Sequence, residues 1–354
     1  MSVKISEFGK LEDGRTVTAY TIFNKAGASC TFLNYGGYIQ SVTVPDKNGK
    51  LTDVTLAYDS VAPYEENPNY FGAFIGRNAN RIENGTFTLG GKTYTLPKND
   101  AGFNNHHSGP DGFERRIFDV TCEEDGNEVR MELTSPDGDE GFPGNMKVCL
   151  TYTFSDDCAL TYHITAVSDA DTVANMTNHS YWNLNGHDQG SILDHTMIIH
   201  ADEFTELGAH GIPTGKYVSV EGTPFDFREE KAVGRDIGKD DAQLVLAGGY
   251  DHNFVIRGSG MREATVLIGD VSGIVMTQIT DQPGVQVYTG NYITGPNGKG
   301  GAVYGPKTGI ALESQHVPNA INNPAFESVV LKAGEKYDTT TTYKFSVRRV
   351  KTKD

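Results

Sequence analysis

Two titratable side chains that are far apart in the sequence, Glu313 and His179, are candidates for acid–base chemistry because of the residues around them. Glu313 follows the apolar run 310–312, so we expect it at the end of a buried strand, where a carboxylate must be paired or functional. His179 and the one tryptophan of the chain, Trp182, lie in the otherwise strand-compatible segment 175–187. A carboxylate and an imidazole that converge on a ligand would supply a base and an acid.

The histidine segment has two interpretations. A histidine inside a strand-like run is usually a core residue whose ring nitrogens are hydrogen-bonded. However, an aromatic ring beside a histidine and several asparagines also suits a sugar site, because ring faces stack on C–H groups while polar groups bind hydroxyls. From segment 175–187 alone, both interpretations stay open.

A second polar segment, 72–87, contains two arginines and two asparagines directly ahead of a predicted hairpin. Arg77 and Arg81 could be surface or salt-bridging residues. Alternatively, Asn80 and Arg81 donate hydrogen bonds to sugar hydroxyls, a role that suits amide and guanidinium groups.

The adjacent histidines His106 and His107, in a loop rich in glycine and asparagine, raise the question of a metal site. No cysteine or aspartate falls at a familiar ligand spacing and HExxH is absent, so we expect no metal. A further segment places Asp251 and His252 just before another predicted strand. Since GxSxG and a phosphate-binding glycine loop are absent, nucleophilic hydrolysis and nucleotide binding are disfavoured.

The elements that must position these residues are strands, because helical signals are weak throughout. The strand-like runs are rich in β-branched and aromatic residues, and the clearest hairpin turns through Gly90-Gly91. Segments 60–67 and 229–246 could hold a helical turn or two. We predict a single antiparallel β domain over residues 1–354, because parallel strands would need long helical connections. The predicted strands are 16–23, 39–44, 128–134, 146–154, 159–167, 264–270, 273–280, 285–290 and 339–350.

The composition indicates an acidic globular protein. The 354 residues carry a formal net charge of -16, which repels nucleic acid and anionic lipid and gives no long-range attraction to a phosphorylated substrate. We therefore expect a neutral small-molecule ligand, with neither a nucleic-acid nor a membrane partner. The four cysteines form no CxxC pair, which predicts buried free thiols and a reducing compartment. The N-terminus lacks an apolar leader, so we expect a cytoplasmic protein.

Taken in order, these segments resemble the aldose 1-epimerase (galactose mutarotase) family from about residue 10 to residue 350. Several ordered motifs make the resemblance specific, whereas no single motif would. They are Asn34-Tyr35-Gly36-Gly37, Val44-Pro45-Asp46, GRNANRI, NNHHSG, TNHSYWNL, YDHNF, PGVQVYTGN and LESQHVPNAINNP. The chain departs from the usual Leu-His-Gly-Gly at 106–109, and again within 313–319, which leaves the preferred sugar open.

The resemblance implies a large antiparallel β-supersandwich with an open sugar-binding cleft and no cofactor. By resemblance, Glu313 stands where the family's base stands and His179 where its acid stands. We expect the two groups to face each other across one pyranose ring. There they would exchange the α and β anomers of a free hexose, such as galactose or glucose, by opening and closing the ring. The positions that match sugar-binding residues are Asn80, Arg81, His107, Ser180, Tyr181, Asp251 and Gln286.

Free glutamate and histidine titrate near ~4.3 and ~6.5, so an ionised glutamate beside a partly protonated histidine is expected near neutral pH. Two other functions stay open. A hexose-6-phosphate 1-epimerase would need extra cationic side chains at the rim of the cleft, and a non-catalytic sugar-binding or regulatory protein would need neither a base nor an acid. We expect a monomer or a weak homodimer.

Overall fold

The computed structural model describes residues 1–348, and these residues form an all-β sandwich, as predicted. The strands pair antiparallel in three larger sheets and four two-stranded ribbons within the described residues. The sheet nearest the N-terminus contains Ser2–Lys10, Thr16–Phe23, Ser29–Leu33, Ile39–Pro45 and Leu51–Asp53, in that order.

The other two sheets form the body of the sandwich. The nine-stranded sheet has the spatial order Asp119–Cys122, Glu128–Ser135, Met146–Phe154, Ala159–Ser168, Lys336–Val347, Ile274–Thr280, Arg262–Ile268, Thr196–Ile199 and Lys231–Ala232. The six-stranded sheet has the order Tyr181–Trp182, Ile310–Gln315, Gly284–Tyr288, Asp251–Ile256, Ala201–Leu207 and Pro213–Ser219. The ribbons pair Ala73–Ile75 with Thr177–His179, Arg81–Ile82 with Asn105–His106, Thr86–Leu89 with Lys92–Thr95, and Thr172–Val173 with Val330–Leu331.

Most of the predicted elements are present at or near their predicted bounds. Strands Thr16–Phe23 and Met146–Phe154 match the predicted ranges, and the hairpin turns at Gly90-Gly91. The two α-helices of the described residues are Ala62–Glu66 and Ala242–Ala247. The first lies within the predicted segment 60–67, and the second extends one residue beyond the predicted segment 229–246. Positions 349–350 of the last predicted strand lie outside the described residues. The single-domain prediction stays a prediction.

One face of the six-stranded sheet packs on the nine-stranded sheet. Trp182 is fully buried between the sheets, with its ring 4.8 Å from the ring of Tyr343 and 5.7 Å from that of Phe345. The Tyr343 hydroxyl donates to the carbonyl of Leu312 at 3.0 Å. The interpretation of Trp182 as a sugar-stacking residue is therefore wrong, because it follows Tyr181 on a strand and points to the opposite face.

Arg77 is a buried structural residue, 1% exposed, and not the surface or salt-bridging residue that the sequence suggested. Its guanidinium donates six hydrogen bonds of 2.7 to 3.2 Å to neutral oxygens. The acceptors are the hydroxyls of Ser135 and Thr172 and the carbonyls of Ser135, Pro136, Pro143 and Gly144. Arg77 thus joins the segment between the strands Ala73–Ile75 and Arg81–Ile82 to the nine-stranded sheet.

The four cysteines are free, but only Cys30 and Cys158 are buried; Cys122 and Cys149 are half-buried. The expectation of four buried thiols is therefore only partly met. In residues 1–348 no helix is both long enough and apolar enough to cross a membrane.

Candidate active site

A polar cavity of about 320 Å³ lies over one face of the six-stranded sheet. Wider depressions of about 470 to 680 Å³ lie elsewhere on the described surface, but their linings include neither Glu313 nor His179. The cavity is lined by Pro68, Asn69, Tyr70, Asn80, Arg81, Asn99, His106, His107, His179, Tyr181, Asp251, Tyr288, Tyr292 and Glu313.

The sheet register places several of these side chains together on the floor of the cavity. Gln286 lies opposite Glu313 on the neighbouring strand, and Asp251 lies opposite Tyr288. Directly paired residues of antiparallel strands project from the same face, so these four side chains share one face of the sheet, and three of them, Glu313, Asp251 and Tyr288, line the cavity. The sequence predicted Glu313 at the end of its strand. This is wrong by two residues, because the strand continues to Gln315.

The second titratable group enters from a ribbon beside the sheet. His179 ends the strand Thr177–His179, which pairs with Ala73–Ile75. Its ring lies 5.2 Å from the ring of His107, at a nearly perpendicular angle. The imidazole is thereby enclosed by the wall of the cavity and aimed at its floor.

Asn80 and His107 fix each other in the wall of the cavity. The backbone N–H of His107 donates to the carbonyl of Asn80 at 3.0 Å, and the N–H of Asn80 donates to His107 Nδ1 at 3.1 Å. Both residues have left-handed φ angles, 60° and 50°, which cost side-chain-bearing residues of order ~1 kcal/mol. The neighbouring ribbon, in which Arg81 pairs with His106, holds this corner in place.

Glu313 and His179 meet in this cavity. Glu313 Oε1 lies 3.5 Å from His179 Nε2, and the side chains are 2% and 6% exposed. No pyranose ring fits between atoms at this distance, so the expectation that the groups face each other across the ring is wrong. They lie side by side. The anomeric hydroxyl and the ring oxygen of a pyranose share one carbon, so adjacent groups suit both oxygens of one sugar.

Burial changes the charge state that the sequence led us to expect. It raises the pKa of Glu313 well above its usual value, and the nearby carboxylate of Asp251 raises this pKa further. Burial also lowers the pKa of His179 to about 4. Both shifts favour uncharged groups in the free protein, instead of the ionised glutamate and partly protonated histidine that were expected.

The neutral pair and the ionised pair hold the same number of protons. Transfer of one proton from Glu313 to His179 converts the first into the second without exchange with solvent. Glu313 Oε2 has no hydrogen-bond partner within residues 1–348. A ligand hydroxyl that donates to this carboxylate would favour its charged form and draw the pair towards the ionised arrangement.

Two predicted sugar contacts do not line the cavity. Gln286 Nε2 donates to Asp251 Oδ1 at 2.7 Å, so Gln286 orients a lining residue. The Ser180 hydroxyl donates to Asn178 Oδ1 at 2.6 Å in a buried position, away from the cavity. The predicted site residues that line the cavity are Asn80, Arg81, His107, His179, Tyr181, Asp251 and Glu313.

The side chains of His107, His179 and Glu313 could in principle hold a metal, since one potential ligand atom of each lies within 4.8 Å of the others. The hydrogen bond from the N–H of Asn80 to His107 Nδ1 opposes this use. It places the proton of a neutral His107 ring on Nε2, which makes that nitrogen a donor. Such a donor suits a sugar hydroxyl and not a cation.

Several lining residues were not found from the sequence. Tyr288 could have been found, because it lies two positions after Gln286 on one strand and so shares its face. Tyr70 and Tyr292 come from irregular segments without periodicity, and their part in the cavity depends on tertiary structure. Tyrosines therefore take the place that the sequence suggested for Trp182.

Comparisons with known proteins identify the family of the chain. A protein-family model described as aldose 1-epimerase matches residues 18–344. Galactose mutarotase from Bos taurus is 40% identical over 349 residues, covering 98% of this chain and 99% of the relative. Aldose 1-epimerase from Escherichia coli (strain K12) is 34% identical over 337 residues, covering 94% and 96%.

Solved structures give the same result. An aldose epimerase homologue from C. elegans superposes with a TM-score of 0.86 at 32% identity, covering 93% of this chain and 98% of the other. A galactose 1-epimerase from Lactobacillus acidophilus superposes with a TM-score of 0.86 at 28% identity, covering 99% and 100%. The fold is thus the β-sandwich of the galactose mutarotase class. With the family model matching most of its length, the chain belongs to the aldose 1-epimerase family.

Proposed function

We propose that this protein interconverts the α and β anomers of free hexoses such as galactose and glucose, with Glu313 as the base and His179 as the acid. The observation that carries the proposal is the buried carboxyl–imidazole contact of 3.5 Å in a cavity of about 320 Å³. The names of the related proteins, galactose mutarotase and aldose 1-epimerase, support the same reaction.

The proton transfers balance within the pair. When a sugar is bound, ionised Glu313 takes the proton of the anomeric hydroxyl, while protonated His179 gives a proton to the ring oxygen. The ring opens to an aldehyde, and both groups become neutral, which is the state that burial favours. Rotation by about half a turn about the C1–C2 bond exposes the other carbonyl face, and the reverse transfers close the opposite anomer.

The remaining polar lining residues would bind the sugar hydroxyls. Arg81, Asn80 and the Nε2–H of His107 supply donors, and Asp251 supplies an acceptor that Gln286 holds in place. A mixture of donors and acceptors around a neutral ligand is typical of a hydroxyl-rich substrate. The rings of the tyrosines that line the cavity offer apolar surface to the C–H faces of the sugar.

The charges of the cavity disfavour the hexose-6-phosphate alternative. Among its lining residues, Arg81 is the one with a permanent positive charge, and it is already paired with Asp100 at 2.8 Å. Asp251 and Glu313 add carboxyl groups to the same lining. A phosphate would therefore find no unpaired cation in the lining.

The cytoplasmic location and the monomeric or weakly dimeric state stay predictions.

Polarimetry on freshly dissolved α-D-galactose and α-D-glucose tests the proposal. We expect the protein to accelerate the approach to anomeric equilibrium on both sugars and to act more slowly on galactose 6-phosphate. Sugar binding without acceleration would identify a non-catalytic sugar-binding protein. Faster turnover of the phosphorylated sugar would favour the alternative epimerase.

A further inference from the structure

Asp100, which does not line the cavity, binds the arginine that does. Arg81 Nε donates to Asp100 Oδ2 at 2.8 Å, and the two side chains are only 20% and 25% exposed. A pair that is mostly withdrawn from water is screened less than a surface pair, so its geometry is more strongly held.

The carboxylate of Asp100 is itself held from the other side. Asn104 Nδ2 donates to Asp100 Oδ2 at 3.2 Å and also to the carbonyl of His210 at 3.0 Å. His210 and Gly211 belong to the 3₁₀ turn Ala209–Gly211, and a Cβ at Gly211 would lie 3.0 Å from Arg81 Cζ. The turn therefore packs against the guanidinium of Arg81. Asn104, which is 2% exposed, joins the turn to the carboxylate of Asp100.

These contacts occupy one edge of the guanidinium and leave the other edge available. Nε of Arg81 is bound, whereas Nη1 and Nη2 have no hydrogen-bond acceptor within the described residues, 1–348. A guanidinium is a planar fork, so fixing Nε and one face restricts the directions in which the Nη groups can donate. The available donors belong to a residue that lines the cavity with Glu313 and His179.

We propose that Asp100 is a positioning residue of the sugar site: by binding Arg81 Nε, it directs the two Nη groups to hydroxyls of the bound aldose. The carboxylate also balances the charge of Arg81, so the arginine serves as a donor to neutral hydroxyls and not as an anion site. This inference rests on the proposed function of the cavity, because it assumes that a sugar occupies it.

Kinetics of Asp100→Ala, Arg81→Ala and the double variant test the inference. Since Arg81 binds the substrate and its transition state alike, Asp100→Ala should raise KM for D-galactose about tenfold and leave kcat within about twofold. Asp100→Asn keeps an oxygen near Arg81 Nε and should restore most of the lost kcat/KM. In the Arg81→Ala background, Asp100→Ala should have no further effect.

Two measurements separate positioning from folding and from the proposed reaction. Thermal denaturation should show that Asp100→Asn folds normally, and calorimetric titration with D-galactose should show weaker binding by Asp100→Ala without reference to turnover. Asp111→Ala removes a more exposed carboxylate of the same loop and should leave KM unchanged. A normal dissociation constant in Asp100→Ala, or an equal loss in the Arg81→Ala background, would overturn the inference. A wild-type protein that binds galactose without exchanging anomers would instead overturn the proposed function.

Discussion

The substitution Glu313→Gln keeps the shape of a buried side chain and removes its ability to take a proton. Glu313 is 2% exposed and lies 3.5 Å from His179. We expect anomer exchange to slow by about 10²–10⁴-fold, the factor that a positioned acid or base commonly contributes. The fold should survive, because a neutral amide of the same size can occupy the position without an ionisation cost.

The same substitution should change how stability depends on pH, in a direction set by the raised pKa of Glu313. The unfolded chain loses this proton near its usual pKa of about 4.3, whereas the folded protein keeps it to higher pH. The wild type therefore loses up to about 1.4 kcal/mol of stability per pH unit through this group as pH rises within that window. Glutamine does not titrate, so Glu313→Gln should gain stability relative to the wild type as pH rises from about 5 to about 7.5, by up to about 1.4 kcal/mol per pH unit.

Polarimetry gives the rate, and urea denaturation at the two pH values gives the stability difference. Glu123→Gln, which neutralises an exposed carboxylate, is the matched control and should leave the rate unchanged. A Glu313→Gln rate within about tenfold of the wild type would refute the role of this residue as the base. A variant whose relative stability falls with rising pH would refute the account of the buried carboxyl.

Three further outcomes are expected. His179→Asn should lower the polarimetric rate about as much as Glu313→Gln. The double variant should be little worse than either, because the two groups act together in one ring-opening step; additive losses would contradict this. Arg77→Met leaves six oxygens without their donor, so it should lower the free energy of unfolding, measured in urea, by about 3 kcal/mol or more. A loss below about 1 kcal/mol would show that these hydrogen bonds contribute little to stability. Burial lowers the pKa of His195 to about 4 and that of His252 to about 3. The free energy of unfolding should therefore fall as pH drops from about 6.5 towards 4, by up to about 1.4 kcal/mol per pH unit for each ring. A urea midpoint that stays constant over this pH range would contradict this prediction.

The strands were predictable because their signal is local. Runs such as 146–154 alternate apolar and polar residues, and the structure buries one side of each run as period two requires. The opening strand, Ser2–Lys10, was missed because most of its side chains are exposed, so its sequence carries few apolar positions. Its pairing with Thr16–Phe23 comes from backbone hydrogen bonds, which a hydrophobic pattern does not report.

The chemistry of the site was predictable only in part. Residue types and the family resemblance pointed to Glu313 and His179, but their side-by-side arrangement depends on the pairing of distant segments. The directions of Trp182 and Ser180 were missed because the short segment 180–182 is wholly buried and shows no polar alternation from which to assign its faces. The pKa shifts were missed for a related reason, since burial belongs to the tertiary fold and not to the local sequence.

Only Ser180 separates His179 from the strand Tyr181–Trp182, which is hydrogen-bonded to the strand that carries Glu313. The imidazole and the carboxyl are therefore connected by a short backbone path and the pairing of two strands. Tyr70 and Tyr292, in contrast, reach the cavity from irregular segments outside the paired strands. We expect these two segments to tolerate changes in length, as surface loops commonly do. One residue inserted after His179, in contrast, would turn its ring to the opposite side of the chain and separate the acid from the base.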